Sequence, residues 1–357
     1  MLIFRYLTRE VFTVLVAITA IMIFVVTMSQ LSLYLAAVAR GALAFSYLGK
    51  ELLYNIPVFL GYILPFAFYL SLLFAYGRLY AESEMVVMQS SGMSNARLLA
   101  YNFISSSVIT LFSIFLILWL NPILVRKSNE LLNQSGQLIV QTVVAGQFHV
   151  SSDGAQIFYV AGVSRDRSHF NDVFIARLNN QKSTTSQTNW DVSFSSTAHQ
   201  VKNPNGYSYL QADNGYAYSG SPGALNFRIA QYNNYQALLQ KTAKSVGDSR
   251  INGMTLKQLL AEHDNIKFLA EIQWRISLVL QVIILTFIAI PLTKVSPREG
   301  RYANFLPALM LYVIYIALLF FARFLMEAGK ISPNIGLWWV HGVMLAIIFS
   351  LYIRRKS

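Results

Sequence analysis

Gln156-Ile157-Phe158-Tyr159-Val160, Asp172-Val173-Phe174-Ile175-Ala176, Asp191-Val192-Ser193-Phe194 and Tyr207-Ser208-Tyr209-Leu210 are short alternating runs in a stretch dominated by Asn, Gln, Ser, Gly and Tyr. Alternation with period two places every second side chain on one face of a strand. Turn signals separate the runs: Ser152-Asp153-Gly154, Asn203-Pro204-Asn205-Gly206, Asp213-Asn214-Gly215 and Gly220-Ser221-Pro222-Gly223. Strands at this spacing predict a β-sandwich or jelly roll over residues 126–264, not a parallel sheet.

On both sides of that stretch the chain changes character. Six apolar segments, roughly 11–35, 52–77, 99–121, 272–293, 303–326 and 334–353, are each long enough to cross a bilayer, which takes about 20 residues. The first follows Arg5 and Arg9, as a signal peptide would. Its apolar run is longer than a signal core of about 7–15 residues and no small-x-small site closes it, so a retained helix is expected. The predicted fold is an α-helical polytopic membrane protein of six transmembrane helices with a β-domain inserted between helices 3 and 4. The domains are 1–125, 126–264 and 265–357. Composition agrees: 55% of the 357 residues are apolar, 12% are charged, and mean hydropathy is +0.46. Soluble domains carry about 25% charge, and disorder requires low hydrophobicity, so both classes are excluded.

The net charge of +12 is that of a membrane protein with basic cytoplasmic loops; no basic run exceeds Arg354-Arg355-Lys356, so nucleic acid is not an expected partner. Arg5, Arg9, Arg78, Arg97, Lys294, Arg298, Arg301, Arg354, Arg355 and Lys356 lie on one side of the predicted membrane, against Arg40, Lys50 and Lys330 on the other. That asymmetry predicts cytoplasmic termini and an outward, periplasmic β-domain in a bacterial inner membrane. The chain has no cysteine, hence no disulfide and no thiol chemistry. It has no P-loop, no Gly-x-Ser-x-Gly and no metal-ligand spacing among its five histidines. No predicted span carries a carboxylate near mid-depth, where proton- or ion-driven transporters place one. His341 is the only titratable residue well inside an apolar segment, and a helix-packing hydrogen bond is its simplest role. Neither an enzyme nor a self-powered transporter is expected, and no cofactor or metal is expected to bind directly.

The loop Arg78-Leu79-Tyr80-Ala81-Glu82-Ser83-Glu84-Met85-Val86-Val87-Met88-Gln89-Ser90-Ser91-Gly92-Met93-Ser94 predicts a short amphipathic helix over 80–91. Its acids fall in the first turns, Gly92 suits the C′ position and Ser94 caps the next helix. Met85 and Met88, with Val86 and Val87, would supply its apolar contacts. Such a helix either rests on headgroups or docks in a basic cleft of another protein. An anionic leaflet would favour Lys/Arg over Glu82 and Glu84. Pro57 and Pro65, eight residues apart in the second span, fall on nearly one face and predict a kink.

Several of these residues carry a resemblance. Ile3-Phe4-Arg5-Tyr6-Leu7-Thr8-Arg9-Glu10, Leu64-Pro65, Gly77-Arg78-Leu79-Tyr80-Ala81-Glu82-Ser83-Glu84, Ser91-Gly92-Met93-Ser94, Ala145-Gly146-Gln147-Phe148, Trp274-Arg275, Ile290-Pro291-Leu292 and Pro297-Arg298-Glu299-Gly300-Arg301 resemble the LptF/LptG family of lipopolysaccharide export permeases. The resemblance implies a permease subunit of an ABC exporter, paired with an LptG-like paralogue over an LptB-like ATPase dimer that alone uses ATP. It implies that Glu82, Glu84, Met85 and Met88 belong to a coupling helix seated in that ATPase. Lipopolysaccharide would enter a cavity with Arg323 near its outer end, aided by Arg40 and Lys330. It would then pass along apolar side chains of the β-domain, with Phe148, Phe158, Val160, Phe174 and Phe194 as candidates, to an LptC-like adaptor and an LptA-like bridge. The family's basic residues at the end of helix 1 are replaced here by Gln30-Leu31-Ser32-Leu33-Tyr34. Residues 225–235 are a candidate edge strand for a neighbouring sheet. The rival classes are another ABC lipid or lipoprotein permease, and a non-transporting scaffold that carries a periplasmic binding module.

Overall fold

The computed structural model describes residues 2–39, 45–142, 145–150, 156–164, 169–179, 189–202, 208–221, 227–238, 251–261, 265–293 and 304–354. Helices are α1 (Leu2–Ala39), α2 (Phe45–Ala81), α3 (Glu84–Ser90), α4 (Asn95–Ile114), α5 (Asn121–Thr142), α6 (Leu256–Ala261), α7 (Ile266–Leu292), α8 (Phe305–Glu327) and α9 (Trp338–Arg354). A π-helical segment, Phe115–Leu120, joins α4 to α5. Six strands, β1 (Phe148–Val150), β2 (Gln156–Val163), β3 (His169–Asn179), β4 (Asn189–Lys202), β5 (Ser208–Gly220) and β6 (Arg228–Leu238), lie between α5 and α6.

Five helices among the described residues are long and apolar enough to span a membrane: Leu2–Ala39, Phe45–Ala81, Ala96–Leu132, Ile266–Leu292 and Phe305–Glu327. The sixth predicted span is α9, at 17 residues the shortest, about 25 Å long at 1.5 Å per residue. The chain forms two compact units: residues 1–29, 52–128 and 248–357 make the helical one, and 30–51 with 129–247 make the other.

In the helical unit α7 is central, with 78% of its apolar window buried, whereas the corresponding share of α1 is 11%. Lipid is as apolar as leucine, so close packing and polar clasps hold spans together. The Tyr69 hydroxyl of α2 donates to the Ala308 carbonyl of α8 at 3.0 Å. Buried His341 of α9 bonds Tyr315 of α8 through Nδ1 at 2.7 Å and Ser277 of α7 through Nε2 at 2.9 Å, the packing role expected of it. Gln273 of α7 donates to the Pro333 carbonyl and accepts from the Leu337 amide, which fixes the turn before α9.

The other unit holds one six-stranded antiparallel sheet in simple sequence order, β1 to β6. Two sheets with crossed, Greek-key pairing do not occur among the described residues, because each strand pairs with its sequence neighbour. The sheet instead bends on itself. Ala161, Asp172, Ser196, Asn214 and Asn233 fall in one row across β2 to β6 that the strand pairing skips. Asp172 and Asn214 there have φ of 49° and 51°, tolerable for Asp and Asn. At this row the inward positions step by three residues instead of two: Val160 to Val163, Phe170 to Val173, Ser195 to Ala198, Ala212 to Gly215 and Tyr232 to Tyr235. An extra residue in a strand bends it, and an extra residue in every strand bends the sheet without disturbing its register. Phe158, Val160, Val173 and Ile175 from one half thereby share a buried cluster with Phe170, Ala198, Leu210 and Ala212 from the other. Asp213-Asn214-Gly215, expected as a turn between strands, is this bend within β5. A Cβ on Gly215 would collide with the Phe194 carbonyl and the Tyr232 hydroxyl, so only glycine fits.

Candidate functional site

A cavity of about 410 Å³ opens in the helical unit. Tyr62 from α2, Trp274 and Leu278 from α7, and Tyr312, Ile316 and Phe320 from α8 give it aromatic and aliphatic walls, with Asn252 and Arg323 as polar members. Residues 316, 320 and 323 recur at helical spacing, as do 274 and 278, so each helix presents one stripe.

Arg323 is not a free cation at the helix end. Its Nη2 pairs with Glu271 at 3.0 Å and its Nε with Glu327 at 2.7 Å. Its guanidinium also lies 5.3 Å from the Trp274 ring centroid, within cation–π range. Glu271 in turn binds Arg275 Nε at 2.8 Å, and both side chains of that pair are only 4% exposed. Arg275 donates onward to the carbonyls of Ile251, Asn252 and Met254, where the chain enters the helical unit. Two arginines and two carboxylates balance, which is how charge survives burial. Of these four charges, Arg323 is the one that the sequence placed at the cavity. The pairs Glu271–Arg275 and Arg323–Glu327, each at i,i+4, were the available signal.

Of the other predicted rim cations, Lys330 does not join this cavity. Lys330 is exposed beyond the end of α8 and is not among the lining residues. Arg40 lies outside the described residues.

At the opposite end of the helices, α2 continues to Ala81 and the chain breaks at Glu82-Ser83, where Ser83 has φ 61°. The amphipathic helix is therefore α3, 84–90, shorter than the 80–91 expected. It ends as expected: the Met93 amide bonds the Met88 carbonyl and the Gly92 amide bonds that of Gln89, with Gly92 at φ 94°. The Ser94 hydroxyl then caps α4 by accepting from the Arg97 amide. Glu84 accepts a 2.6 Å hydrogen bond from the Tyr6 hydroxyl of α1. Arg78 bridges Glu10 of α1 at 2.9 Å and Glu82 at 3.7 Å.

The two methionines expected to contact a partner face inward. Met85 is fully buried and Met88 packs against the same core. Val86 and Val87, 50% and 61% exposed, are the apolar side chains that α3 presents outward. The helical period decides this: 85 and 88 share one face, 86 and 87 the other.

In the β-unit, the candidates separate by face. Phe158 and Val160 lie in the buried cluster between the sheet halves. Phe148, Tyr159, Phe174, Phe194 and Tyr216 stand directly opposite one another across β1 to β5, on the other face. Phe148–Tyr159 and Phe174–Phe194 are both 4.9 Å ring contacts, and Phe148 meets Phe174 edge-on at 6.3 Å. The neighbouring row, Val150, Ile157, Ala176, Val192, Tyr218 and Ile229, is apolar as well. Phe148 is 67% exposed and Phe194, Tyr216, Tyr218 and Ile229 are exposed too, an unusual surface for a polar domain. β6, at Arg228–Leu238, is the long outer strand of the sheet.

Among the described residues no group of His, Asp or Glu is placed to hold a metal. The family model described as lipopolysaccharide export system permease LptF/LptG matches residues 5–354. This chain belongs to the LptF/LptG family. The lipopolysaccharide export system permease protein LptF of Escherichia coli K12 is 27% identical over 352 residues, covering 98% of this chain and 94% of that protein. LptF of Shigella flexneri matches to the same extent. With its candidate spans, membership makes the chain a multi-pass permease of the inner membrane with an inserted β-domain. The segments that carried the resemblance fall within the matched range, the first of them from Arg5 onward.

Proposed function

We propose that this chain is one permease half of an ATP-driven exporter that lifts lipopolysaccharide out of the inner membrane and hands it towards the outer membrane. The observation that carries the proposal is the cavity: aromatic walls with one arginine, the form needed by an amphiphile with acyl chains and phosphates. At about 410 Å³ it accommodates a fragment of such a glycolipid, so a facing half from an LptG-like paralogue completes it. The β-domain is periplasmic, and its aromatic row (Phe148, Phe174 and Phe194 with Tyr159 and Tyr216) takes the acyl chains. The outer edge of β6 offers backbone groups to the sheet of an LptC-like adaptor, and an LptA-like bridge follows. Glu82, Glu84, Val86 and Val87 form the docking face for an LptB-like ATPase, which binds and hydrolyses the ATP.

The test is purification of the tagged chain from its host in mild detergent, with every co-purifying protein and lipid identified. A P-loop ATPase, a second six-span protein and lipopolysaccharide are expected. Recovery of the chain alone, under conditions that preserve other ABC complexes, would overturn the proposal.

A further inference from the structure

Arg323 has two carboxylate partners of different kinds. Glu271 is buried, and Arg275, itself anchored by three backbone carbonyls, holds its other oxygen. Glu327 is 34% exposed and, in its salt bridges among the described residues, pairs with Arg323 only. It is also the last residue of α8, where the negative end of the helix dipole disfavours a carboxylate. Helix stability does not account for an acid at that position; the arginine one turn before it does.

We propose that Glu327 is a displaceable counter-ion: it holds Arg323 beside Trp274 until a phosphate monoester on the incoming glycolipid takes its place. This rests on the cavity being the glycolipid site. Glu271 stays in position throughout, because leaving would strand Arg275 in a buried environment. A phosphate dianion offers more charge and more acceptor oxygens than a carboxylate, so it outcompetes Glu327; a neutral or zwitterionic headgroup does not. The same competition makes the bound state shallow. When the cavity narrows, Glu327 reclaims the guanidinium and the phosphate leaves. Glu327 is thus a positioning and specificity residue that acts through Arg323, with no need to touch the substrate.

The experiment uses the whole permease–ATPase complex in nanodiscs. Binding of a bisphosphorylated lipid A and of its enzymatically dephosphorylated form is measured for wild type, Arg323→Gln, Glu327→Gln and the double variant. Exposed ion pairs set the scale, so Glu327→Gln is expected to tighten the phosphorylated probe by about two- to fivefold. It should leave the dephosphorylated probe unchanged and slow ATP-driven release. Arg323→Gln is expected to erase the preference for phosphate, and the double variant to behave like it. Weaker or unchanged binding by Glu327→Gln, while Arg323→Gln weakens it, would overturn the counter-ion role alone. No effect of Arg323→Gln on either probe would overturn the cavity assignment, and with it this inference.

Discussion

The helical unit and the β-unit present opposite chemistry for the glycolipid passage proposed above. In the helical unit the apolar exterior meets lipid, and the cavity is organised by Arg323 and the carboxylates that neutralise it. In the β-unit the exterior is polar, yet one sheet face carries Phe148, Phe174 and Phe194 in an exposed row. A site that must discriminate needs buried, directional charge, which is expensive to hold and specific. A surface along which a chain only slides needs apolar area and few strong partners. On the proposed function, specificity belongs to the helical unit and passage to the sheet.

Six variants, in four sets, test that contrast, in falling order of effect. Glu271→Ala removes the shared partner of two arginines, and breaking a buried pair costs about 3–5 kcal/mol. Its helical unit should lose thermal stability in detergent; an unchanged melting temperature would mean the network is ornamental. On the sheet, Phe158→Ala opens a cavity between the halves and costs about 3–5 kcal/mol. Its counterpart Phe194→Ser, on the exposed face, should change stability by no more than about 0.5 kcal/mol while reducing transport. Equal destabilisation by the two would erase the distinction between faces. On α3, Val87→Asp should weaken ATPase recovery about tenfold, roughly 1.4 kcal/mol, without unfolding the chain. Met85→Ala should do the reverse, lowering stability first. The last set is Ser94→Ala, a lost helix cap worth about 1 kcal/mol in stability, with ATPase binding retained.

Long apolar runs made the spans legible, because length and hydropathy alone determine whether a helix can cross. The caps at Gly92 and Ser94 were legible because each meets a local backbone need. The bend in the sheet was written in the sequence as steps of three, Phe170 to Val173 and Ala212 to Gly215, but Asp213-Asn214-Gly215 carries the composition of a turn. Only pairing across five strands separates an aligned row of extra residues from a loop. Met85, Val86, Val87 and Met88 are four apolar residues in a row, so composition does not tell which face packs inward; burial of Met85 and Met88 does. Asn252 reaches the cavity, and Glu271 reaches its arginine, through packing between segments distant in sequence, which spacing along one helix does not reveal.

The most direct test of the account places a photo-crosslinking residue at Phe320 in the cavity, at Phe194 on the exposed sheet face and at Ile175 in the buried sheet core. Lipopolysaccharide adducts are then compared in the reconstituted complex with and without ATP. The account predicts adducts at Phe320 without ATP, at Phe194 only with ATP, and none at Ile175 in either condition. Adducts at Ile175 but not Phe194, or none at Phe320, would contradict it.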